Sequence, residues 1–439
     1  MSSISTISST SEPLVAHDIA ALEKALDTAR AGFSLRQVPM SATEHWSLVD
    51  GAIQHRSGGF FSISGVRREG EEQERVMLYQ PQGALNGLLS TVIGGERHFL
   101  LQARAEPGNL GEAQFGPTVQ STPANYLRMH GGARTPYIET FLQHSPDVTL
   151  LRETAQLDLG ERYLFKTKRL IALEATEPQE TLPCFIWASP SAIRQAVARS
   201  AFLNTDLRSM LAFSSWSPDE ADGELTPLSA EVRRSLVARP RGEVLARLET
   251  ALCTVSRPRT GFVPLMNLSN WELDDWGLRE RAPDQGFSVE FFEVAAAYRE
   301  VGHWIQPLIN SGGEGRVVLA CREVEGMTEV FVQPLAEFGL APGCALAPSY
   351  LLYPGMVDSP PEWLVNARIL SETLESDEGG RFHKDSSRYQ IVAIDADAPQ
   401  PPAELGFWLR VSEVKHCLDV SNRCTIQLRC ILSHLLALR

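Results

Sequence analysis

The stretch FLLQARAEPGNLGEAQFGPT at residues 99–118 has a counterpart, VFVQPLAEFGLAPGCALAPS, at residues 330–349. Both stretches carry a Gln, an Ala-Glu pair, a Gly and a late Pro at the same places, and the separation is constant at 231 residues (333 − 102 = 231). Similarity at a long fixed period is typical of a duplicated structural unit. We therefore interpret this stretch as the middle of one of two copies of a single fold.

Other matches lie on both sides of this stretch and keep the same order. Val38-Pro39-Met40 matches Val263-Pro264-Leu265 at a separation of 225 residues (263 − 38 = 225), and Trp187 matches Trp408 at 221 (408 − 187 = 221). Separations that change only between blocks indicate loops of different length. The sequence thus predicts a disordered leader at 1–13, a first repeat at 14–215, a linker at 216–239 and a second repeat at 240–439.

Each copy is expected to have an α+β fold in which a mixed sheet is flanked by helices. Apolar residues at helical spacing after Asp18 predict a capped opening helix. Short runs rich in β-branched and aromatic residues predict strands. The predicted strands are Gly59–Val66, Arg75–Gln80, His98–Arg104 and Arg169–Glu174 in the first copy, and Phe287–Ala295, Arg316–Cys321, Glu329–Gln333 and Tyr389–Ile394 in the second. Helices at Ser191–Arg199 and Ser412–Leu418 are predicted to close the copies.

The bulk composition argues against several classes of protein. A net charge of −14 over 439 residues disfavours binding to nucleic acid or to an anionic membrane. The seven cysteines form no C-x-x-C pair, which favours buried thiols over a disulfide framework or a zinc site. No apolar run approaches the roughly 18 residues that a membrane span needs. We expect a cytoplasmic protein that holds any anionic substrate in a local basic pocket.

The segment Phe99–Gly132 as a whole resembles the signature of the NDP-hexose 2,3-dehydratases. That signature contains the run Q-A-[KR]-x-E-P-G-N followed by P-T-V-Q-x-T-x-x-N-Y-x-R-x-H-x-G, and nearly every position is filled here. Further motifs of the family are matched at His55 with Gly59-Phe60-Phe61, at Arg299-Glu300-Val301 with Trp304 and Gln306-Pro307, at Glu378–Phe382 and at Asn204–Arg208. The resemblance covers essentially the whole chain.

The resemblance implies a Nudix-like fold in each copy, a homodimer, and a lyase that removes water across C2 and C3 of a dTDP-linked (or other NDP-linked) 4-keto-6-deoxyhexose in deoxysugar and antibiotic biosynthesis. A 3-ketoreductase would act on the product. The elimination moves no hydride, and no G-x-G-x-x-G motif follows a strand, so no cofactor is expected. No metal site is predicted either, because Arg299-Glu300-Val301 is not followed by the Glu pair of a Nudix box.

The implied reaction needs a base near C3, donors to the C4 oxygen and an acid for the C2 hydroxyl. By the resemblance, the candidates for proton transfer are His130, Tyr126 and Glu106. Glu106 would serve as the base if burial raised its pKa. A structural role is the alternative for each of them, and the recurrence of Glu106 as Glu337 in the other copy fits a turn residue equally well.

The candidates for substrate binding are polar or aromatic residues, most of them inside the family's motifs. Guanidinium groups match phosphate oxygens, and aromatic rings stack on a base or a sugar. Solvated arginines and core tryptophans are the alternatives. The candidates are Trp46, Gln102, Thr118, Gln120, Thr122, Asn125, Arg128, Arg162, Arg208, Trp271, Gln333, Tyr350, Tyr353, Glu378, Arg381 and Arg388.

Two stretches depart from the family pattern and leave alternatives open. Gln156–Gly160 reads QLDLG where the family has Q-S-E-Q-G, and Pro348–Pro354 reads PSYLLYP where the family repeats P-T-V-Q-x-T.

The alternative to the lyase is a nucleotide-sugar-binding protein without turnover; a Nudix-type hydrolase is disfavoured by the missing metal box. The first copy keeps more of the polar motif and is favoured for the His/Tyr group, although the second copy or a dimer mate can complete the pocket.

Overall fold

A computed structural model describes residues 13–129, 131–143, 146–214, 216, 226–253 and 259–438 of the chain. The elements of the first half are β1 (Val15–Ala16), α1 (Ile19–Arg30), β2 (Ser34–Gln37), β3 (Trp46–Val49), β4 (Ala52–His55), β5 (Ser62–Arg68), β6 (Glu74–Tyr79), β7 (Ala84–Ile93), β8 (Glu96–Ala105), β9 (Ala113–Gly116), β10 (Val119–Ser121), α2 (Pro123–Tyr126), α3 (Ile138–Gln143), β11 (Val148–Leu157), β12 (Tyr163–Leu164), β13 (Thr167–Ala175), β14 (Phe185–Ala188), α4 (Pro190–Val197) and α5 (Thr205–Phe213).

The second half repeats this succession after two connecting helices. Its elements are α6 (Pro227–Val237), α7 (Gly242–Cys253), β15 (Thr260–Val263), β16 (Trp271–Asp274), β17 (Gly277–Glu280), β18 (Phe287–Ala295), β19 (His303–Ser311), β20 (Glu314–Val324), β21 (Met327–Leu335), β22 (Ala345–Ala347), β23 (Tyr350–Leu352), α8 (Glu362–Val365), β24 (Arg368–Ser376), β25 (Ser386–Ala393), β26 (Phe407–Arg410), α9 (Val411–Leu418) and α10 (Ile426–Ala437). Short 3-10 helices at Met40–Ala42 and Leu265–Asn267 also correspond between the halves.

The opening helix forms for the reason that the sequence indicates. The Asp18 side chain caps α1 by accepting a hydrogen bond from the Ala21 backbone N–H at 3.0 Å. Leu22, Leu26 and Ala29 lie on one face of the helix and are buried. An amphipathic helix of this kind is stabilised mainly by packing its apolar face against a sheet.

The two large sheets have the same strand order. In the first half the order is β14-β8-β7-β13-β11, with β9 on β8 and β10 on β7; in the second it is β26-β21-β20-β25-β24, with β22 on β21 and β23 on β20. The β7–β13 and β20–β25 pairs are parallel, and the other pairs within these two sets are antiparallel. Even the irregularity in register recurs, between Leu150 and Arg152 and between Ile369 and Ser371. This agreement confirms the predicted α+β fold with two related mixed sheets.

The two small sheets exchange strands between the halves. β2 of the first half pairs antiparallel with β18 of the second, and β15 of the second half pairs antiparallel with β5 of the first. The exchange is reciprocal because β2 and β15 are counterparts, both lying in the block in which Val38 matches Val263 (263 − 38 = 225). Each small sheet is therefore complete only when the other half is present.

Two reciprocal loop contacts join the halves beside the small sheets. The Gly108 backbone N–H donates to the Gly379 carbonyl at 2.8 Å, and the Gly339 N–H donates to the Gly160 carbonyl at 2.8 Å. We call these contacts the two clasps. The backbones approach so closely that a Cβ on Gly339 would lie 1.8 Å from the Tyr163 carbonyl oxygen.

Helices α5 and α10 pack against each other at the centre of the molecule. Each carries a fully buried arginine that reaches a strand end of the opposite half: Arg208 donates to the Ser376 carbonyl at 3.3 Å, and Arg429 donates to the Leu157 carbonyl at 2.8 Å. Arg208, a candidate phosphate ligand, is thus a structural link between the halves.

The predicted elements are present in the structure. The strand runs lie within or overlap β5, β6, β8, β13, β18, β20, β21 and β25, and the closing helices are α4 and α9. The predicted linker at 216–239 includes α6, which packs on β21 of the second half. Most of the acidic part of that segment and most of the predicted leader lie outside the described residues.

Candidate active site

A cavity of about 360 Å³ opens between the two halves. The first half contributes the ends of β3 and β4, the loop after β8 and helix α2; the second contributes residues 299–306 and the clasp segment at Gly380 and Arg381. Its volume lies within the range of about 300–1,000 Å³ that small-molecule sites occupy. The cavity therefore depends on both halves of one chain.

One wall of the cavity is aromatic. Trp46 packs against Phe61 with ring centroids 4.8 Å apart, and His55 lies edge-on to Phe60 at 4.6 Å. Trp304 comes from the opposite half, where β19 places it in the same cavity. Flat apolar faces of this kind suit a nucleobase or the face of a sugar ring.

Three arginines line the cavity: Arg56, Arg299 and Arg381. The Arg381 guanidinium lies 4.4 Å from the centroid of Phe61, and one of its nitrogens donates to the Gly380 carbonyl at 2.9 Å. Its Nε is buried and has no hydrogen-bond partner in the described part of the chain. An unpaired N–H donor in a cavity is ready to bind an anionic oxygen.

Glu106 is held by two guanidinium groups. Arg104 and Arg299 contact its Oε1 at 3.0 and 2.9 Å. Burial by itself raises the pKa of Glu106, but the two arginines outweigh burial and hold it below its usual range. The net effect is a lowered pKa, so the condition under which Glu106 would serve as the base is not met, and Glu106 is a carboxylate at neutral pH. Its Oε2 is buried without a hydrogen-bond partner among the described residues.

A hydrogen-bonded chain fixes the side of the cavity that belongs to the second half. Trp304 Nε1 donates to Gln306 Oε1 at 3.1 Å, and Gln306 Nε2 donates to the Gly380 carbonyl at 2.7 Å. Beneath it, the buried Glu378 accepts hydrogen bonds from the Gly380 N–H at 3.0 Å and from the Tyr163 hydroxyl at 3.2 Å. These bonds position Arg381 relative to the aromatic wall.

The counterparts of Glu106 and Arg381, one in each half, make internal contacts. Glu337, the counterpart of Glu106, accepts a hydrogen bond from the Tyr353 hydroxyl at 2.7 Å. Arg162 corresponds to Arg381 (381 − 162 = 219). It donates to the carbonyls of Gln285 and Pro354 at 3.2 and 3.1 Å. Burial raises the pKa of Glu337 to about 8. Glu337 Oε1 and the two Arg162 nitrogens are thus used in internal contacts, whereas Glu337 Oε2 is buried without a hydrogen-bond partner among the described residues.

The structure brings only some of the candidate residues together. Trp46, Glu106, Asn125 and Arg381 line the cavity, and Gln102 and Glu378 lie behind it in contact with Arg104 and Gly380. His130 lies outside the described residues, but Met129, which precedes it, lines the cavity. Tyr126 packs against the core of the first half.

The other candidates lie elsewhere and serve internal contacts. Thr118 bonds the Leu89 N–H and the Leu100 carbonyl, Gln120 accepts from Asn204, Thr122 precedes α2, and Arg128 donates to the Gly132 carbonyl. The remainder belong to the second half or its contacts: Arg162, Trp271 packed on Phe287, Gln333 in β21, Tyr350 bonded to Asp358, Tyr353, and Arg388 paired with Glu314 and Glu372.

Several cavity residues were not selected from the sequence, although the signal was there. His55, Arg299, Trp304 and Gln306 all lie in motifs that the sequence analysis matched to the family. The motifs of His55 and Glu300 are 245 residues apart in the chain (300 − 55 = 245), so the sequence does not show that they share one site. Only the folding of both halves around one cavity brings them together.

Two further observations concern other kinds of site. Within the described ranges, no three His, Cys, Asp or Glu side chains are grouped so that they hold a metal ion. None of the helices in that part of the chain has the length and apolar character required to cross a membrane.

Comparison with known proteins gives consistent results over both halves. A family model described as NDP-hexose 2,3-dehydratase matches residues 21–213 and 249–435. A dTDP-4-dehydro-6-deoxy-alpha-D-glucopyranose 2,3-dehydratase from Streptomyces violaceoruber is 29% identical over 420 residues, which cover 91% of this chain and 93% of the relative. Proteins of the same description from Saccharopolyspora spinosa and Amycolatopsis orientalis are each 27% identical, over 92% and 84% of this chain and 88% and 80% of their own.

Solved structures also show similarity to this chain. One of them, a Nudix hydrolase from M. smegmatis, RenU, aligns with 29% of this chain and 79% of its own length, at 18% identity and a TM-score of 0.17. A score this low carries no argument about fold or function.

Proposed function

Because this chain belongs to the NDP-hexose 2,3-dehydratase family, we propose that it removes water across C2 and C3 of a dTDP-linked 4-keto-6-deoxyglucose. The observation that carries the proposal is the cavity between the halves, in which aromatic rings lie beside three guanidinium groups. Two of these groups, Arg299 and Arg381, come from motifs of the family. Such a lining matches a substrate with a nucleobase, a diphosphate and a sugar.

The chemistry follows from the ketone at C4. The ketone acidifies the C3 hydrogen, so a base removes that proton and the electron pair moves to form an enolate at C3–C4. The C4 carbonyl then re-forms, the C3–C4 electron pair moves to make a C2=C3 double bond, and the C2–O bond breaks as the hydroxyl accepts a proton and leaves as water. The enol at C3 tautomerises to a 3,4-diketo-2,6-dideoxy sugar. No step transfers a hydride.

We assign the diphosphate to Arg56, Arg299 and Arg381, and the flat parts of the substrate to Trp46 and Trp304. Glu106 balances the charge of Arg299 rather than acting as the base, because a carboxylate with a lowered pKa is a weak proton acceptor. His130 remains our proposal for proton transfer, since it follows Met129 in the cavity wall. We place Tyr126 second, because its ring packs against the core.

The test is turnover by the full chain. Purified protein, given dTDP-4-keto-6-deoxyglucose, a 3-ketoreductase and its reductant, is expected to yield a 2-deoxy sugar nucleotide by mass spectrometry. The His130→Asn variant should lose rate while it keeps affinity for dTDP, and Tyr126→Phe should lose much less. Tight binding of dTDP without turnover by the wild-type chain would overturn the proposal in favour of a silent nucleotide-sugar-binding protein.

We also propose the setting of the reaction. The chain would act in the cytoplasm as a homodimer and pass its reactive diketo product to a 3-ketoreductase in deoxysugar or antibiotic biosynthesis. Light scattering during gel filtration measures the mass in solution against the 48.4 kDa of one chain. A monomer at micromolar concentration would refute the homodimer and leave the proposed reaction untouched.

A further inference from the structure

His55 stands at the end of β4 inside the aromatic wall of the cavity. Its ring is nearly parallel to that of His45, with centroids 5.7 Å apart, and it is edge-on to Trp46 at 5.3 Å and to Phe60 at 4.6 Å. Contacts on several sides fix the orientation of the ring, so its nitrogens have defined partners.

The partners of Nδ1 decide where the proton of the ring lies. The Ser57 backbone N–H donates to Nδ1 at 3.2 Å, and the Ser57 hydroxyl lies 2.7 Å from the same atom. That hydroxyl accepts a hydrogen bond from the Gly59 N–H at 3.3 Å, which leaves its own proton for Nδ1. Nδ1 is therefore an acceptor, and the neutral ring carries its proton on Nε2.

The charges around the ring keep it neutral. Burial, the neighbouring His45 and Arg56 together lower the pKa of His55 to about 4. The carboxylates that line the same cavity, Glu106 and Glu300, lie 2.9 and 3.8 Å from Arg299 and do not pair with the imidazole. Near neutral pH the ring is thus an uncharged N–H donor.

The counterpart in the second half shows what the histidine adds. Position 55 corresponds to Glu280 at the end of β17 (280 − 55 = 225). The Glu280 carboxylate accepts hydrogen bonds from the backbone N–H groups of Gln285 and Gly286 at 2.7 and 2.9 Å, and so organises the following loop. His55 organises its own loop through Nδ1 alone, and Nε2 has no hydrogen-bond partner within the described residues.

We propose that His55 donates a hydrogen bond from Nε2 to the C4 carbonyl oxygen of the substrate and stabilises the enolate that forms there; this role rests on the proposed dehydration. The base takes the proton of C3, the electron pair moves onto the C4 oxygen, and His55 keeps its own proton throughout. A neutral imidazole stabilises an enolate oxygen without delivering a proton to it.

The kinetic test compares two substitutions of His55 with one control. His55→Phe removes the donor and keeps the aromatic packing; kcat should fall by about 10²–10³-fold, as when one oxyanion donor is removed, with KM little changed. His55→Gln offers an amide N–H in place of Nε2–H and should recover at least a tenth of wild-type kcat. His416→Gln, at an exposed position of α9 away from the cavity, should behave as wild type.

A second measurement does not depend on turnover, and it tests the proposal even if the His55→Phe variant fails to fold. Nitrogen-15 spectra of histidine-labelled wild-type protein should show the Nε2–H form of His55, with no protonation between pH 8 and 5. Protonation at the usual value near 6.5, or an Nδ1–H form, would overturn the proposal, and so would a His55→Phe variant with near-wild-type kcat. Absence of turnover by wild type, with the expected spectra, would instead refute the dehydration itself.

Discussion

Glu106 and Glu337 show how one position of a duplicated fold acquires opposite chemistry. Both carboxyls are buried, but Glu106 is ionised between Arg104 and Arg299, whereas the pKa of Glu337 is raised to about 8. Part of the difference is visible in the sequence, because Leu335 replaces Arg104 in the second copy (335 − 104 = 231). The other part was not predictable from either copy alone, since Arg299 reaches Glu106 from the opposite half.

The arginine between Glu106 and the cavity can be tested by binding. Arg299→Met should weaken dTDP binding by about 10–100-fold, the equivalent of one charged hydrogen bond, as measured by calorimetry. Arg299→Lys should fall between this variant and the wild type, because it keeps the charge but not the fork. Arg169→Met, which removes a cation paired with Glu153 on the surface, is the control. Equal affinities for all four proteins would exclude Arg299 as a phosphate ligand.

The raised pKa of Glu337 predicts how stability depends on pH. Between the ordinary value of 4.5 and the folded value of about 8, the folded chain keeps a proton that the unfolded chain releases. This contribution is complete below pH 4.5 and is lost as the pH rises through 8. Glu337→Gln mimics the protonated form. As the pH is raised from 5 to 9, the free energy of unfolding of this variant should therefore increase by about 1–3 kcal/mol relative to that of the wild type. Urea unfolding at each pH measures this difference, and Glu362→Gln, at an exposed position, is the control. If the free energies of unfolding of Glu337→Gln and wild type differed by the same amount at every pH, Glu337 would be ionised throughout this range.

At the scale of elements, the clasps explain why glycine is required where two backbones meet. The Gly339 N–H bonds the Gly160 carbonyl, and a Cβ at Gly339 would lie 2.5 Å from that carbonyl oxygen as well. In the sequence, Gly339 corresponds to Gly108 (339 − 108 = 231) and Gly379 corresponds to Gly160 (379 − 160 = 219). The sequence did not indicate that Gly108 bonds to Gly379 and Gly339 to Gly160 across the halves, because a recurring glycine does not show which backbone approaches it.

Substitution of Gly339 tests this close approach. Gly339→Ala forces Cβ against the Tyr163 carbonyl and should destabilise the fold by at least about 1–3 kcal/mol, the usual cost of overpacking. Gly312→Ala is the matched control, because a Cβ there meets nothing within 4 Å. Thermal unfolding should show a clearly lower Tm for Gly339→Ala alone. Equal Tm values for the two variants would mean that the backbones at Gly339 and Tyr163 can move apart without loss of stability.

At the scale of the whole molecule, the duplication was predictable and the exchange of strands was not. Recurring side chains give the order of elements, since local packing selects the same residue types twice. The residues of β2, SLRQ, alternate in the same way whichever sheet they join, so their sequence does not reveal that they pair with β18 of the other half. The cavity likewise combines residues of both halves that are far apart in the chain, and the sequence alone does not show that they are neighbours.

The exchange predicts that neither half folds alone. A chain of residues 14–215 would lack β15 beside β5, and a chain of residues 240–439 would lack β2 beside β18, which leaves an unpaired strand edge in each. Arg208 and Arg429 would each lose a hydrogen bond to a carbonyl of the opposite half, and α5 and α10 would each lose the helix against which they pack. Expressed separately, each half should unfold without cooperativity or aggregate; co-expressed, they should form a soluble 1:1 complex that binds dTDP. Two separately folded halves with cooperative thermal transitions would show that the exchange contributes little to stability.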